Sequence, residues 1–205
     1  MSQGSARHGP APDGPTSRAR LTILWPWLAI ATVLAITAYQ LRSQGRSWWC
    51  ACGQPNPWSG DPAGPHNSQH LFDPYSFTHV LHGLVLCGLF AWAWPRLRPA
   101  WRLCLAVVIE SLWEVFENSA FVIERYRAAT AAVGYQGDTV ANSLGDVLSC
   151  VAGFALAQRL GVRLSVVLFF VMEGILLLWI RDDLFLSVVM LLYPIPGIKA
   201  WQMGN

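Results

Sequence analysis

Charge is what this chain has least of. Asp, Glu, Lys and Arg make up 13% of its 205 residues, against about 25% in a soluble domain. A net charge of +2, with the basic residues in short clusters beside apolar runs, excludes nucleic acid as a partner. A glycine-rich phosphate loop, a nucleophile elbow and a His-Glu-x-x-His motif are all missing. So is a Glu-x-x-His pair on one helix, which removes the di-iron signature. There is no heptad pattern, and no internal repeat of the kind that builds the inverted halves of a transporter. What remains is a chain that is 54% hydrophobic, with several runs near the ~20 residues a membrane span needs.

The pattern predicts an all-α polytopic membrane bundle of five or six helices. Residues 1–20 are rich in Gly, Pro, Ser and Arg and read as a disordered cytoplasmic tail. The transmembrane domain occupies 21–205, with spans over 21–41, 75–94, 101–122, 139–160 and 164–180 and an outer loop at 42–74. The last apolar run, Leu184 to Tyr193, is short, and spanning and re-entrant courses both remain open for it. Arg18 and Arg20, then Arg96, Arg98 and Arg102, then Arg159 and Arg163 fall on one side if each span crosses once. That side is expected to be cytoplasmic, in an inner membrane. Trp25, Trp27, Trp92, Trp94 and Trp101 suit interfacial belts.

Inside these apolar runs sit ionisable groups, each costing at least ~2.5 kcal/mol in hydrocarbon, which makes them functional candidates. Glu110, Glu114 and Glu117 share one helix face by their spacing, and such a cluster must share protons, pair with cations or hold a metal. His79 and His82 lie one turn apart on the preceding span, where Gly83 permits close helix approach. Histidines from one helix and carboxylates from another build metal sites in bundles, so His79, His82, Glu114 and Glu117 are candidate ligands for a divalent metal. Proton transfer and plain structural hydrogen bonding are the rival roles. Asn142 and Asp146 face the same interior, and Gly145 and Gly153 suit tight packing beside them. Glu173 is expected to complete the interior cluster. Arg125 and Arg127 are candidates for holding a lipid phosphate, with ion pairs to Glu124 and Asp138 as the alternative. In the outer loop Cys50 and Cys52, with His70 and His66 nearby, leave three readings open: a strained disulfide, a weaker metal site, or an unused pair. Their spacing does not match a zinc-finger framework.

Several short motifs occur together: Cys50-Ala51-Cys52-Gly53, Asn67-Ser68-Gln69-His70, Tyr75-Ser76-Phe77-Thr78-His79 and His82-Gly83. Trp113-Glu114, Glu117-Asn118, Ile123-Glu124-Arg125-Tyr126-Arg127, Gly137-Asp138, Asn142-Ser143 and Asp146 follow. Ile180-Arg181-Asp182, Leu191-Leu192-Tyr193-Pro194 and Ile198-Lys199 close the series. From Cys50 to the C-terminus the chain thus resembles a family of small multi-pass inner-membrane proteins of alphaproteobacteria. The resemblance implies a membrane location and no assigned activity. His66 falls outside its pattern. The order His79, Glu114, Arg125, Asp138, Asn142 is also similar in arrangement to VanZ-like membrane proteins, which argues fold more than function.

Three functions are then expected in order. The first is a polar pocket, open to the outer face, that binds an envelope ligand such as a phosphate-bearing membrane lipid. His79, His82, Glu110, Glu114, Glu117, Asn118, Arg125, Arg127, Asp138, Asn142 and Asp146 are its candidate residues. The second is a membrane metalloenzyme, and the third a structural or assembly partner.

Overall fold

The computed structural model describes residues 17–204, with side chains from residue 24 onward. The expected tail lies outside the described residues as far as residue 16, and the first helix starts at Ser17 instead of Leu21. Among the described residues all regular structure is helical, apart from one isolated bridge between Trp58 and Phe72. The elements are α1 (Ser17–Ser43), α2 (Ser76–Ala93), α3 (Pro99–Glu117), α4 (Ala120–Ala129), α5 (Val140–Ile180), α6 (Leu184–Leu192) and α7 (Pro196–Gln202).

Leu24–Ser43, Ser76–Ala93 and Val140–Ile180 are long and apolar enough to cross a membrane. The 41-residue α5 is two helices in one run. Gly161 breaks it at φ 73° and ψ 173°, a backbone region essentially confined to glycine. The chain reverses there. Asp146, in the first half, reaches Ser76 at the start of α2, while Trp179, at the far end, packs against Phe77. Both ends of α5 therefore lie at one end of α2, as the two expected spans 139–160 and 164–180 require.

The expected span 101–122 is shorter than foreseen. α3 stops at Glu117, and a separate α4 begins at Ala120. Asn118 turns its amide to Asp138 (2.8 Å), and Ser119 Oγ accepts from the Val122 amide to start the new helix. α3 is also the long helix that carries Arg102 and all three glutamates, which sets it apart from the three apolar ones.

Glycine sets the distance between α2 and α5. A methyl group on Gly83 would overlap the Cys150 carbonyl oxygen and lie 2.6 Å from the Phe154 amide nitrogen. Gly153 is pressed in the same way against the Val80 backbone, and Gly145 against the Leu71 carbonyl. Below this contact Leu81, Leu84, Phe90, Ala106, Phe154 and Leu176 form the apolar core. The short last run of the sequence does not cross the bundle. α6 spans only nine residues and packs beside α4, and Lys199 of α7 donates to the Ala128 carbonyl (2.7 Å).

Candidate functional site

Helical periodicity delivers the site. On α2, His79 and His82 project from one face toward α3, where Glu110, Glu114 and Glu117 follow at helical spacing. His79 Nδ1 lies 2.5 Å from Glu110 Oε1 and 3.4 Å from Glu114 Oε1. His82 Nδ1 lies 3.0 Å from Glu110 Oε2, so Glu110 bridges the two rings. From α5, Asp146 Oδ2 comes within 3.9 Å of His79 Nε2, and its other oxygen accepts from Ser76 Oγ at 2.6 Å.

Two overlapping groups here present ligand atoms within 4.8 Å of one another: His79, His82 and Glu110, and His79, Glu114 and Glu117. Glu110 thus joins the ligand candidates beside the four expected. Glu114 is 0% exposed, yet neither of its carboxylate oxygens makes a hydrogen bond. A buried carboxylate left this way carries a large desolvation cost.

The cluster opens into a cavity of about 320 Å³. Part of its lining is acidic and polar, with Asp73, Glu117, Asp138, Asp146 and Asp182 beside Tyr126 and Tyr135. Another part is apolar, with Val85, Ile109, Trp113, Leu184, Val188 and Leu191. Among the described residues no arginine or lysine lines it.

The remaining candidates divide. Asn118 and Asp138 form a reciprocal pair, the Asp138 amide donating to Asn118 Oδ1 at 2.7 Å and the Asn118 amide to Asp138 Oδ2. Tyr135 donates to the other Asp138 oxygen at 3.0 Å. Asn142 donates to Asp73 at 3.3 Å and so supports the cavity wall from behind. Arg125 points elsewhere, donating to the Leu191 and Leu192 carbonyls at 2.7 and 3.1 Å. Arg127 donates to the Tyr135 carbonyl. Neither guanidinium is held by Glu124 or Asp138. Glu173 does not complete the cluster: its two oxygens accept from the Leu184 and Phe185 amides at the start of α6. His66 stands 3.4 Å from Cys50 in the loop, although the family resemblance passes it over.

Asp73 and Asp182 were not foreseen. Each sits in a turn at a helix boundary, where an aspartate reads as a capping residue, and Asp73 does accept from the Ser68 and Tyr75 amides. Burial pushes Asp182 up to about 7 and also raises Asp73 and Asp138. Because the folded chain holds the Asp182 proton after the unfolded chain has lost it, stability falls as pH rises from about 4 to about 7. Above that the Asp182 contribution is level. Asp182→Asn is expected to flatten this slope, read as the thermal midpoint in detergent across the same pH range.

The family model described as "Protein of unknown function (DUF2585)" matches residues 41–204. A UPF0314 protein of Paracoccus denitrificans (strain Pd 1222) is 42% identical over 177 residues, covering 86% of this chain and 92% of that protein. One from Sphingopyxis alaskensis is 41% identical over 180 residues, covering 87% and 95%. One from Rhizobium meliloti (strain 1021) is 43% identical over 189 residues, covering 91% and 94%. No solved structure matches significantly.

Proposed function

The chain belongs to the DUF2585 family, whose description assigns no activity, and we propose from the site itself that it is an inner-membrane protein binding a divalent metal ion. The ion sits among His79, His82, Glu110 and Glu114, at the head of a half-apolar cavity. The observation that carries this reading is Glu114, fully buried beside His79 with both carboxylate oxygens free of hydrogen bonds. An imidazole and carboxylate donor set suits zinc, manganese or iron.

The cavity suggests what the ion would meet. Its apolar lining residues fit a hydrocarbon chain, and its acidic ones repel an anion unless a cation intervenes. A lipid with an oxyanion head, carried on the metal, fits both kinds of lining residue. Arg125 and Arg127 are left out of this reading because neither lines the cavity. The spare carboxylates Glu117 and Asp73 in the lining favour a second reading, a metalloenzyme in which one of them serves as base.

The distribution of arginines supports an orientation with the N-terminus in the cytoplasm and the cavity toward the outer face. Arg96, Arg98, Arg102, Arg159 and Arg163 lie at the bundle end remote from the cavity, near exposed Trp92 and Trp94. At the cavity end Arg42, Arg46, Arg125, Arg127, Arg181 and Lys199 also occur, but all donate to carbonyls and Glu124, Asp138, Asp182 and Asp183 offset them.

Elemental analysis of detergent-purified protein, prepared without chelator, tests the site. Both His79→Ala and Glu114→Gln are expected to hold one equivalent of metal less than the wild type. In chelator Glu114→Gln should melt no lower than the wild type, because it removes a buried carboxylate that makes no hydrogen bond and leaves His79 paired with Glu110; saturating metal should then raise only the wild type. Metal content unchanged in both variants, or none in the wild type, overturns the reading.

A further inference from the structure

A second set of donor atoms lies away from the cavity cluster, in the segment between α1 and α2. Cys50, Cys52, His66 and His70 each bring one ligand atom within 4.8 Å of the others. Cys50 Sγ is 3.4 Å from His66 Nδ1, and Cys52 Sγ is 3.7 Å from His70 Nε2. In a tetrahedral zinc centre, Zn–S near 2.3 Å and Zn–N near 2.0–2.1 Å put sulfur and nitrogen roughly 3.6 Å apart. Both pairs stand at that separation. All four groups are free of other covalent use, both cysteines being thiols.

The surroundings select the donor atom. His70 Nδ1 lies 2.5 Å from the Asn56 carbonyl, so that nitrogen carries the proton and Nε2 is left as the ligand. A ligating histidine whose other nitrogen is held by a carbonyl is a recurrent feature of zinc sites. Trp49 packs edge-on against the His70 ring and holds its plane. Cys50 and His70 are buried, whereas Cys52 and His66 face outward, so the set is half sunk into the loop with a path for entry.

We propose that this loop holds a structural zinc ion through Cys50, Cys52, His66 and His70. Two thiolates and two imidazoles make a soft donor set that favours zinc. Four protein ligands leave no open position, so the ion acts on shape. The two halves it joins do different work. Just before Cys50, the Ser47 and Trp48 carbonyls accept from the Val140 and Ala141 amides at the start of α5. Around His70, the Ser68 carbonyl accepts from the Thr139 amide and Gln69 donates to the Gly137 carbonyl. Three residues beyond His70, Asp73 enters the cavity wall. The ion thus clamps the roof of the cavity onto the first turn of α5.

Cobalt titration of the full-length, chelator-stripped protein in detergent tests this. Expected are one equivalent showing thiolate-to-cobalt charge transfer and tetrahedral d–d bands, displaced by zinc. Cys52→Ser should weaken the charge transfer, and Cys52→Ser and His66→Gln should each lower zinc affinity at least tenfold. Both residues are exposed, so these changes leave the packing intact. The cavity groups offer histidine and carboxylate, so the sulfur signal reports the loop independently of the cavity metal. No charge-transfer band, a Cys50–Cys52 disulfide in wild-type protein (a mass lower by two hydrogens), or wild-type zinc affinity in His66→Gln would overturn the proposal.

Discussion

Gly83→Ala is expected to destabilise the protein by about 3 kcal/mol, at the upper end for overpacking, while Gly88→Ala on the same helix stays within about 0.5 kcal/mol of the wild type. A methyl on Gly88 meets nothing within 4 Å. On Gly83 it meets the Cys150 carbonyl and the Phe154 amide, both main-chain atoms of α5, which cannot rotate away as a side chain would. Relief requires α2 and α5 to separate. Gly153→Ala, pressed against Val80 from the other side, should behave alike. The measurement is thermal unfolding in detergent for the three variants. Equal midpoints for Gly83→Ala and Gly88→Ala would show that the two helices are not in backbone contact. The site should register the change as well. His79 and His82 flank Val80, and Asp146 lies on the opposing helix 3.9 Å from His79, so a wider gap between α2 and α5 should weaken metal binding.

His79→Ala is expected to cost about 3–5 kcal/mol in metal-free protein, the range for removing one partner of a buried ion pair. His79 is the group on which Glu110, Glu114 and Asp146 converge, at 2.5, 3.4 and 3.9 Å. Without it Glu110 keeps His82 at 3.0 Å, whereas Glu114 keeps no side-chain partner. A double variant, His79→Ala with Glu114→Gln, should therefore recover part of the loss. Unfolding in detergent with chelator present measures the cycle. If the two changes simply add, His79 and Glu114 are not coupled and the site is not one unit.

The parts of this arrangement that sit on regular helices were readable in advance. Glu110, Glu114 and Glu117 had to share a face, and so did His79 and His82, because helix geometry allows nothing else at those spacings. Gly83, Gly145 and Gly153 stood where close packing was expected, and there the backbones meet. The arginines were not readable. Arg125 finds its acceptors at Leu191 and Leu192, carbonyls left over at the end of α6, and no side-chain pattern marks a backbone acceptor so far along the chain. Glu173 was drawn off the same way by the unpaired amides that open α6. His66 was named beside the cysteines, but the resemblance passes it over, and nothing else spoke to its contact with Cys50. The compact turns from Asp61 to Gln69 fold it back onto Cys50, a loop geometry that spacing does not encode.

The three glutamates of α3 also bear on how the protein is made. At ~2.5–3.5 kcal/mol for each charge at mid-bilayer, this helix is a poor passenger for one-by-one insertion. Its natural chaperone is α2, which is synthesised immediately before it and offers His79 and His82 to the first carboxylate, Glu110. The two helices are joined only by the short turn at Pro95–Arg98, so they are suited to leave the translocon as one hairpin. Under the proposed membrane course and metal site, the histidines would serve twice, at birth as counter-charges that carry α3 into the lipid and afterwards as ligands.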